Sequence, residues 1–390
     1  MRILHVVGTI DPANGGPPLV TVRLASAQAG LGHEVSILTY VDPAAEERIA
    51  QSTARVPGFE RVRRIALPRL TRGEHFFASR ARRELAKIVP HCDFLHLHGV
   101  WERLLKTAAE LAARHGVGYC FRPAGMLDPW SLNQSRWKKK LALAMGYRRV
   151  LSRASFLHAL NSDEAQLMAP LKLSAPAVII PNGVFLEEIE PLPAAGSFRA
   201  AFRQLENCPF VLFLARLHQK KGLDYLIEAF GLLAARRADV RLVLAGPDEG
   251  ARGWLEREID SRKLRERVLV TGGLYGQDKF AAMVDATVFC LPSRQEGFPV
   301  AAVEALACGL PVVISQNSHF PQIADAGAGF VVPLEPRKIA DALERIVSDP
   351  LTRARMSEAG KQLVRQQYLW PDLARQTIEA YQQNRAPRAP

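Results

Sequence analysis

Between residues 210 and 315 five short apolar runs, FVLFLARL, VRLVLAG, RVLVTGG, TVFCLPS and LPVVIS, alternate with helical stretches near 222–237, 252–263, 277–285 and 299–308. Each run is short, apolar and close to Gly or Pro, the pattern of a buried parallel strand. Strands alternating with helices of this length demand a doubly wound α/β domain. The chain opens in the same rhythm: RILHVVG at 2–8, a loop ending in Gly15-Gly16-Pro17, a helix of roughly Leu19–Leu31 stopped by Gly32, and a second strand, HEVSILTY. A length of 390 residues suits two such domains. The stretch 181–209, with Pro181, Pro191, Pro193 and Pro209 beside Gly183 and Gly196, reads as their join. Open parallel sheets bind ligands at the carboxyl ends of their strands, so the chemistry is expected there, in a cleft between the two domains.

Charge separates the halves. Residues 1–180 hold 25 basic against 14 acidic side chains, a net +11, whereas 181–390 hold 26 against 25. The first half therefore calls for a polyanionic partner: nucleic acid, an acidic membrane surface or a phosphorylated substrate. Nucleic acid is the weakest of these, because no RNA- or DNA-reading motif occurs. Five cysteines, widely spaced and without C-x-x-C, argue against disulfide, zinc or iron–sulfur frameworks. With no membrane-spanning apolar run and no secretory leader, a cytoplasmic protein is expected.

The densest chemistry lies in SRQEGFPVAAVEALACGLPVVIS, residues 293–315. Glu296 follows a strand, and Gly297-Phe298-Pro299 leads into a helix over 300–308 with Pro299 suited to its first position. The helix N-terminus offers free N–H groups and partial positive charge to an anion or a hydroxyl-rich ligand, and Gly297 lets that ligand approach. Glu304 sits in the otherwise apolar run VAAVEALA, where a carboxylate is costly to bury without a partner. The competing reading makes Glu296 a helix-dipole carboxylate and Glu304 a solvated one; the combination of glycine, proline and two glutamates favours a binding site.

Glu-Gly-Phe-Pro with a second glutamate after seven intervening residues resembles the signature of the retaining GT-B glycosyltransferases of family 4. The resemblance covers essentially the whole chain, through the Gly15-Gly16-Pro17 loop, HLHG at 96–99, PNGV at 181–184, ARLHQKKG at 215–222, LAGPDEG at 244–250 and GGLYG at 272–276. It implies an α/β GT-B fold of two Rossmann-like domains facing across a cleft: an acceptor-binding domain over 1–180, joined by a crossing helix at 370–386, and a donor-binding domain over 181–369. It implies that Arg216 and Lys221 clamp the donor diphosphate, that Glu296 binds hydroxyls of the transferred sugar, and that Glu304 binds the ribose. The Phe298 backbone would hold the sugar, Gly246, Gly273 and Leu274 would lie near the base, and Gly15 and Gly16 would close on the phosphates. Arg and Lys suit a diphosphate on their own chemistry, one as a fork and the other as a point charge.

One departure stands out. Relatives often read Pro-His-Gly-Met-Leu where this chain has Pro123-Ala124-Gly125-Met126-Leu127, so the histidine usually near the reacting carbon is Ala124. His98, at the end of FLHLH, and Arg122 are the candidates for the neighbouring space. The expected function is retaining, metal-independent transfer of a sugar from a nucleotide-diphosphate donor to a saccharide or lipid-linked hydroxyl. The nucleotide sugar is a substrate, no cofactor is implied, and no D-x-D occurs to hold a metal. The alternatives are a non-catalytic sugar-nucleotide-binding relative and an epimerase. Residues 126–151, with Trp130, Trp137, Lys138-Lys139-Lys140, Leu141 and Met145, read as an interfacial amphipathic helix that would hold the protein at an anionic surface on the cytoplasmic face of the inner membrane.

Overall fold

The computed structural model describes residues 1–384 and divides into two units: 1–188 with 370–384, and 189–369. The first is built on a seven-stranded parallel sheet of β1 (Arg2–Val6), β2 (Glu34–Val41), β3 (Arg63–Pro68), β4 (Phe94–His98), β5 (Gly118–Arg122), β6 (Phe156–Ala159) and β7 (Ala177–Ile179). Their order is 3-2-1-4-5-6-7. The second carries β8 (Phe210–Leu214), β9 (Arg241–Ala245), β10 (Val268–Gly272), β11 (Val288–Leu291), β12 (Val312–Ser315) and β13 (Gly329–Val332), in the order 10-9-8-11-12-13. Both are doubly wound sheets whose order reverses beside their first strand, a Rossmann-like arrangement. The central strand VFCL is buried at every residue, which explains why it reads as a continuous apolar run, and FLHLH is buried throughout as well, its two histidines included.

The first unit ends at Glu188 rather than at 180. Glu188 makes a fork-to-carboxylate pair with Arg23 at 2.6 Å, and the Val184 carbonyl accepts the Trp370 N–H, so this segment is tied to the first sheet's layers. The closing helix, Trp370–Gln383, belongs to the same unit; Tyr381 stacks on Phe94 at 4.2 Å. The expected end of that helix, at 386, lies outside the described residues.

Two further expectations need correction. The first helix runs Gly16–Gly30, not from Leu19, because Pro17 and Pro18 fall in a first turn whose N–H groups have no intrahelical acceptor. Residues 126–151 are not one helix. They form Pro129–Asn133, Arg136–Ala142 and Arg148–Ser152, with the chain kinked at Met145 and Gly146, the latter at φ 99°. Trp137 nevertheless remains 81% exposed, with Leu141 and Met145 also open.

Candidate functional site

In the second unit the order reversal falls between β8 and β11, so the loops after these strands flank one crevice. Backbone bonds fasten them together: the Arg294 N–H donates to the Lys220 carbonyl at 2.8 Å, and the Arg294 guanidinium reaches the Gln219 carbonyl and Asp224. Gly222, at φ 69°, lies so close under Pro292 that a Cβ there would be 1.8 Å from its carbonyl oxygen. Only glycine permits that approach.

This fastening delivers Lys221 to Glu296. The ammonium donates to Oε1 at 2.6 Å, the Ser293 hydroxyl donates to the same oxygen at 2.6 Å, and both ionic side chains are largely covered. Burial pushes the Glu296 carboxyl up, but the attraction and hydrogen bond of Lys221, with that of Ser293, outweigh it and hold it below its usual value. The pair is thus charged on both sides, with carboxylate lone pairs left for a hydroxyl ligand. Arg216, in the same loop, turns to Glu249 at 2.6 Å and is half-exposed.

The helix following this loop is Val300–Ala307, with Pro299 just before it rather than at its first position. Phe298 anchors the approach by packing on Phe320 and Tyr368. Glu304 is 5% exposed, and the partner its burial demands is Lys279, at 2.9 Å from the helix Gly276–Asp285. Sequence reasoning missed Lys279; its place one turn into the helix after GGLYG was the available signal. Gly246 is pinned under Ala215, whose carbonyl oxygen would be 1.8 Å from a Cβ, and donates to the Gly272 carbonyl at 2.7 Å. A Cβ on Gly273 would meet the Tyr275 ring, so Gly273 and Leu274 lead tightly into the helix that carries Lys279.

In the first unit Gly15 has φ 88° and ψ −150°, a conformation open to glycine alone, and delivers the chain to a helix starting at Gly16 without a side-chain cap. His98 is buried in a stack with His5 and His96. A ring nitrogen of His98 shares a hydrogen bond with His5 at 2.9 Å; the other His5 nitrogen bonds Gln28, and His96 bonds the Tyr381 hydroxyl at 2.5 Å. Strand pairing explains the convergence: His5 sits opposite His96, and His98 opposite Arg122. Burial first, then the neighbouring histidines and the Arg122 guanidinium, push His96 and His98 well below the usual histidine range. Ring nitrogens of His5, His96 and His98 lie within 4.8 Å of one another, a grouping that the sequence separation hid. The buried Arg122 beside them opposes a cation there. Arg122 also bonds Asn182, and Ala124 follows it at φ 49°, partly exposed.

A carboxylate not singled out in the sequence completes this edge. Glu102, just before helix Arg103–His115, lies against Gly8 at the end of β1, where a Cβ would be 2.1 Å from Oε2. Burial pushes its carboxyl up to about 7. A single glutamate after HLHGVW carried no motif by which to find it.

Comparison with known proteins fits this architecture. The model "Glycosyl transferase 4-like domain" matches residues 15–183, and "Glycosyl transferases group 1" matches 197–363. The chain is 24% identical over 375 residues to the phosphatidylinositol N-acetylglucosaminyltransferase gpi3 subunit of Schizosaccharomyces pombe, spanning 95% of this chain and 78% of that one. It is 31% identical over 227 residues to a phosphatidyl-myo-inositol mannosyltransferase of Mycobacterium leprae, 57% of each. Several other curated relatives are matched over about half of their length. Among solved structures, HepE of Anabaena in complex with UDP-glucose superposes with a TM-score of 0.77 at 18% identity, over 98% of this chain and all of the other. Two parallel-sheet units of this topology define the GT-B class of glycosyltransferase. Within that class, the chain belongs to family 4.

Proposed function

We propose that the protein transfers a sugar, with retention of anomeric configuration, from a nucleotide-diphosphate donor bound by the second unit to a hydroxyl of a saccharide or lipid-linked acceptor, in polysaccharide or glycolipid assembly. The observation that carries this reading is the covered Lys221–Glu296 pair at the switch point of the second sheet. Lys221 and Arg216 stabilise the charge developing on the departing diphosphate, together with the N–H groups before Val300. Glu296 accepts from hydroxyls of the transferred sugar and Glu304 from those of the ribose. A donor phosphate oxygen takes the acceptor proton, and no metal or further cofactor enters the scheme. The names of two relatives, which contain phosphatidylinositol, and the UDP-glucose complex support the choice of acceptor and donor class.

A lipid-linked acceptor requires approach to a membrane. No helix among the described residues is long and apolar enough to cross one. The exposed Trp137, Leu141 and Met145 beside Lys138 and Lys140 are read as the surface that rests on anionic lipid, on the cytoplasmic face of the inner membrane.

Thermal-shift screening against a panel of nucleotide sugars, followed by product analysis with the donor found and phospholipid-linked acceptors, tests the reading. A bound donor raises the unfolding temperature by mass action. Stabilisation by no nucleotide sugar, or a product with inverted configuration, overturns it.

A further inference from the structure

A groove of about 690 Å³ opens in the first unit between the helices Ser79–Ile88, Arg103–His115 and Arg148–Ser152. Its walls carry Arg82, Arg103, Lys106, Arg114, Arg149 and Arg153 against a single acid, Glu110. Glu110 is already occupied, by Lys106 at 2.5 Å and Arg82 at 3.6 Å. Among the described residues no carboxylate pairs with the other four arginines, and the Nε atoms of Arg103 and Arg153 are buried without any hydrogen-bond partner. Buried guanidinium N–H groups left unmade are costly, and like charges around one cavity repel. A surface selected only for solubility would place such charges apart and in water.

The local backbone helps to build the groove. Gly146, at φ 99°, bends the chain where a Cβ would come within 3.2 Å of Lys106 Cε, so the kink makes room for that covered ammonium. Tyr119 fixes the floor by donating its hydroxyl to the Val150 carbonyl at 2.8 Å. Helix Arg103–His115 contributes residues along nearly its whole length, about 16 Å between Arg103 and Arg114 at 1.5 Å per residue. That reach suits a ligand with several anionic oxygens better than a single small ion, and guanidinium forks match phosphate geometry.

We propose that this groove binds a phosphate or diphosphate group, separate from the donor site of the second unit, with Arg103 and Arg153 supplying the inner donors. The group belongs either to a soluble phosphorylated ligand or to a lipid headgroup; the chemistry recognised is the same. The proposal does not rest on the transferase reading, since it concerns binding without turnover.

Calorimetric titration with inorganic diphosphate tests it, in the full chain carrying Arg216→Ala and Lys221→Ala so that the donor site is silent. The expected result is saturable binding that weakens at least tenfold when Arg103→Gln and Arg153→Gln are added. Arg149→Gln alone, at the rim, gives a smaller loss and guards against a folding defect in the double change. Co-sedimentation with phosphatidylcholine vesicles, with and without phosphatidylglycerol, separates the two sources. Loss of both anionic-vesicle and diphosphate binding assigns the headgroup; loss of diphosphate binding alone assigns a soluble ligand. No binding of diphosphate in the silent-donor protein, or equal binding with and without Arg103 and Arg153, overturns the proposal.

Discussion

Lys221 and Glu296 have two separable effects, on stability and on turnover. Removing the lysine strands a covered carboxylate, which costs about 3–5 kcal/mol of stability when one member of a buried pair is lost. Lys221→Ala should therefore lower the unfolding midpoint of the second unit, and adding Glu296→Gln should restore much of it. Turnover should behave otherwise: Lys221→Ala is expected to lose on the order of 2–4 kcal/mol of transition-state stabilisation, the usual effect of one preorganised charge, with no recovery in the double variant. Recovery of activity along with stability would make the pair structural only. Glu102 gives a second test at this scale. Its folded value near 7 exceeds the ordinary 4.5, so the folded state binds the extra proton between those values and stability falls as pH rises through them. Glu102→Gln should thus be stabilising above pH 7, by at most about 3 kcal/mol, and without effect below pH 4.5. Urea unfolding at pH 4.5 and pH 8 measures it; an equal effect at both places the carboxylate in water.

Whole elements show what the sequence could and could not disclose. Strands such as FVLFL and VFCL were legible because both faces are covered, leaving no polar alternation to obscure them. The loop residues at their ends were legible because glycine at 222 and 246 answers a backbone contact that no other residue tolerates. The segment 126–151 was not. Its apolar and basic residues do recur at helical spacing, but Ser135 and Gly146 adopt positive φ and break the run, and only at Gly146 does the residue type itself favour a break. Nor could sequence spacing show that Lys139 folds inward, donating to the Ser131 carbonyl at 2.6 Å, while Lys140 lies over Trp137. The membrane prediction is sharpened accordingly. Replacing Trp137 and Lys140 should weaken co-sedimentation with anionic vesicles, each basic residue contributing roughly 1 kcal/mol, and salt should weaken it further. Equal partition to neutral and anionic vesicles, or none to either, defeats the docking surface.

At the scale of the whole molecule, the buried histidines make the two units unequal in acid. His5, His96, His98 and His158 all belong to the first unit, and His5 and His158 are pushed down to about 4 and about 3, chiefly by burial, with Arg122 adding to it. A histidine whose folded value is depressed contributes stability that is complete above 6.5 and is lost as pH falls through the folded value, because the unfolded chain takes up the proton first. At pH 5 His5 and His158 therefore each cost up to about 2 kcal/mol, and His96 and His98, pushed down by the same burial, act in the same direction. Of the groups facing them, Gln28 and Tyr381 supply hydrogen bonds, and burial pushes the Glu164 carboxyl up despite the N–H groups of Gly125 and Leu160 that hold it, so Glu164 offsets part of the loss in acid. The raised Glu102 carboxyl also works this way, so two carboxyls oppose four histidines and the first unit is expected to lose net stability in acid. Even about 2 kcal/mol of net loss is a sizeable share of the ~5–15 kcal/mol typical of a folded protein. Calorimetry should then show the transition of the first unit moving down and separating from that of the second as pH falls from 7.5 to 5. His158→Gln should shrink the separation, since it removes one of the four protons taken up on unfolding. A pair of transitions that shift in parallel with pH would mean that the histidine stack is already hydrated in the folded protein.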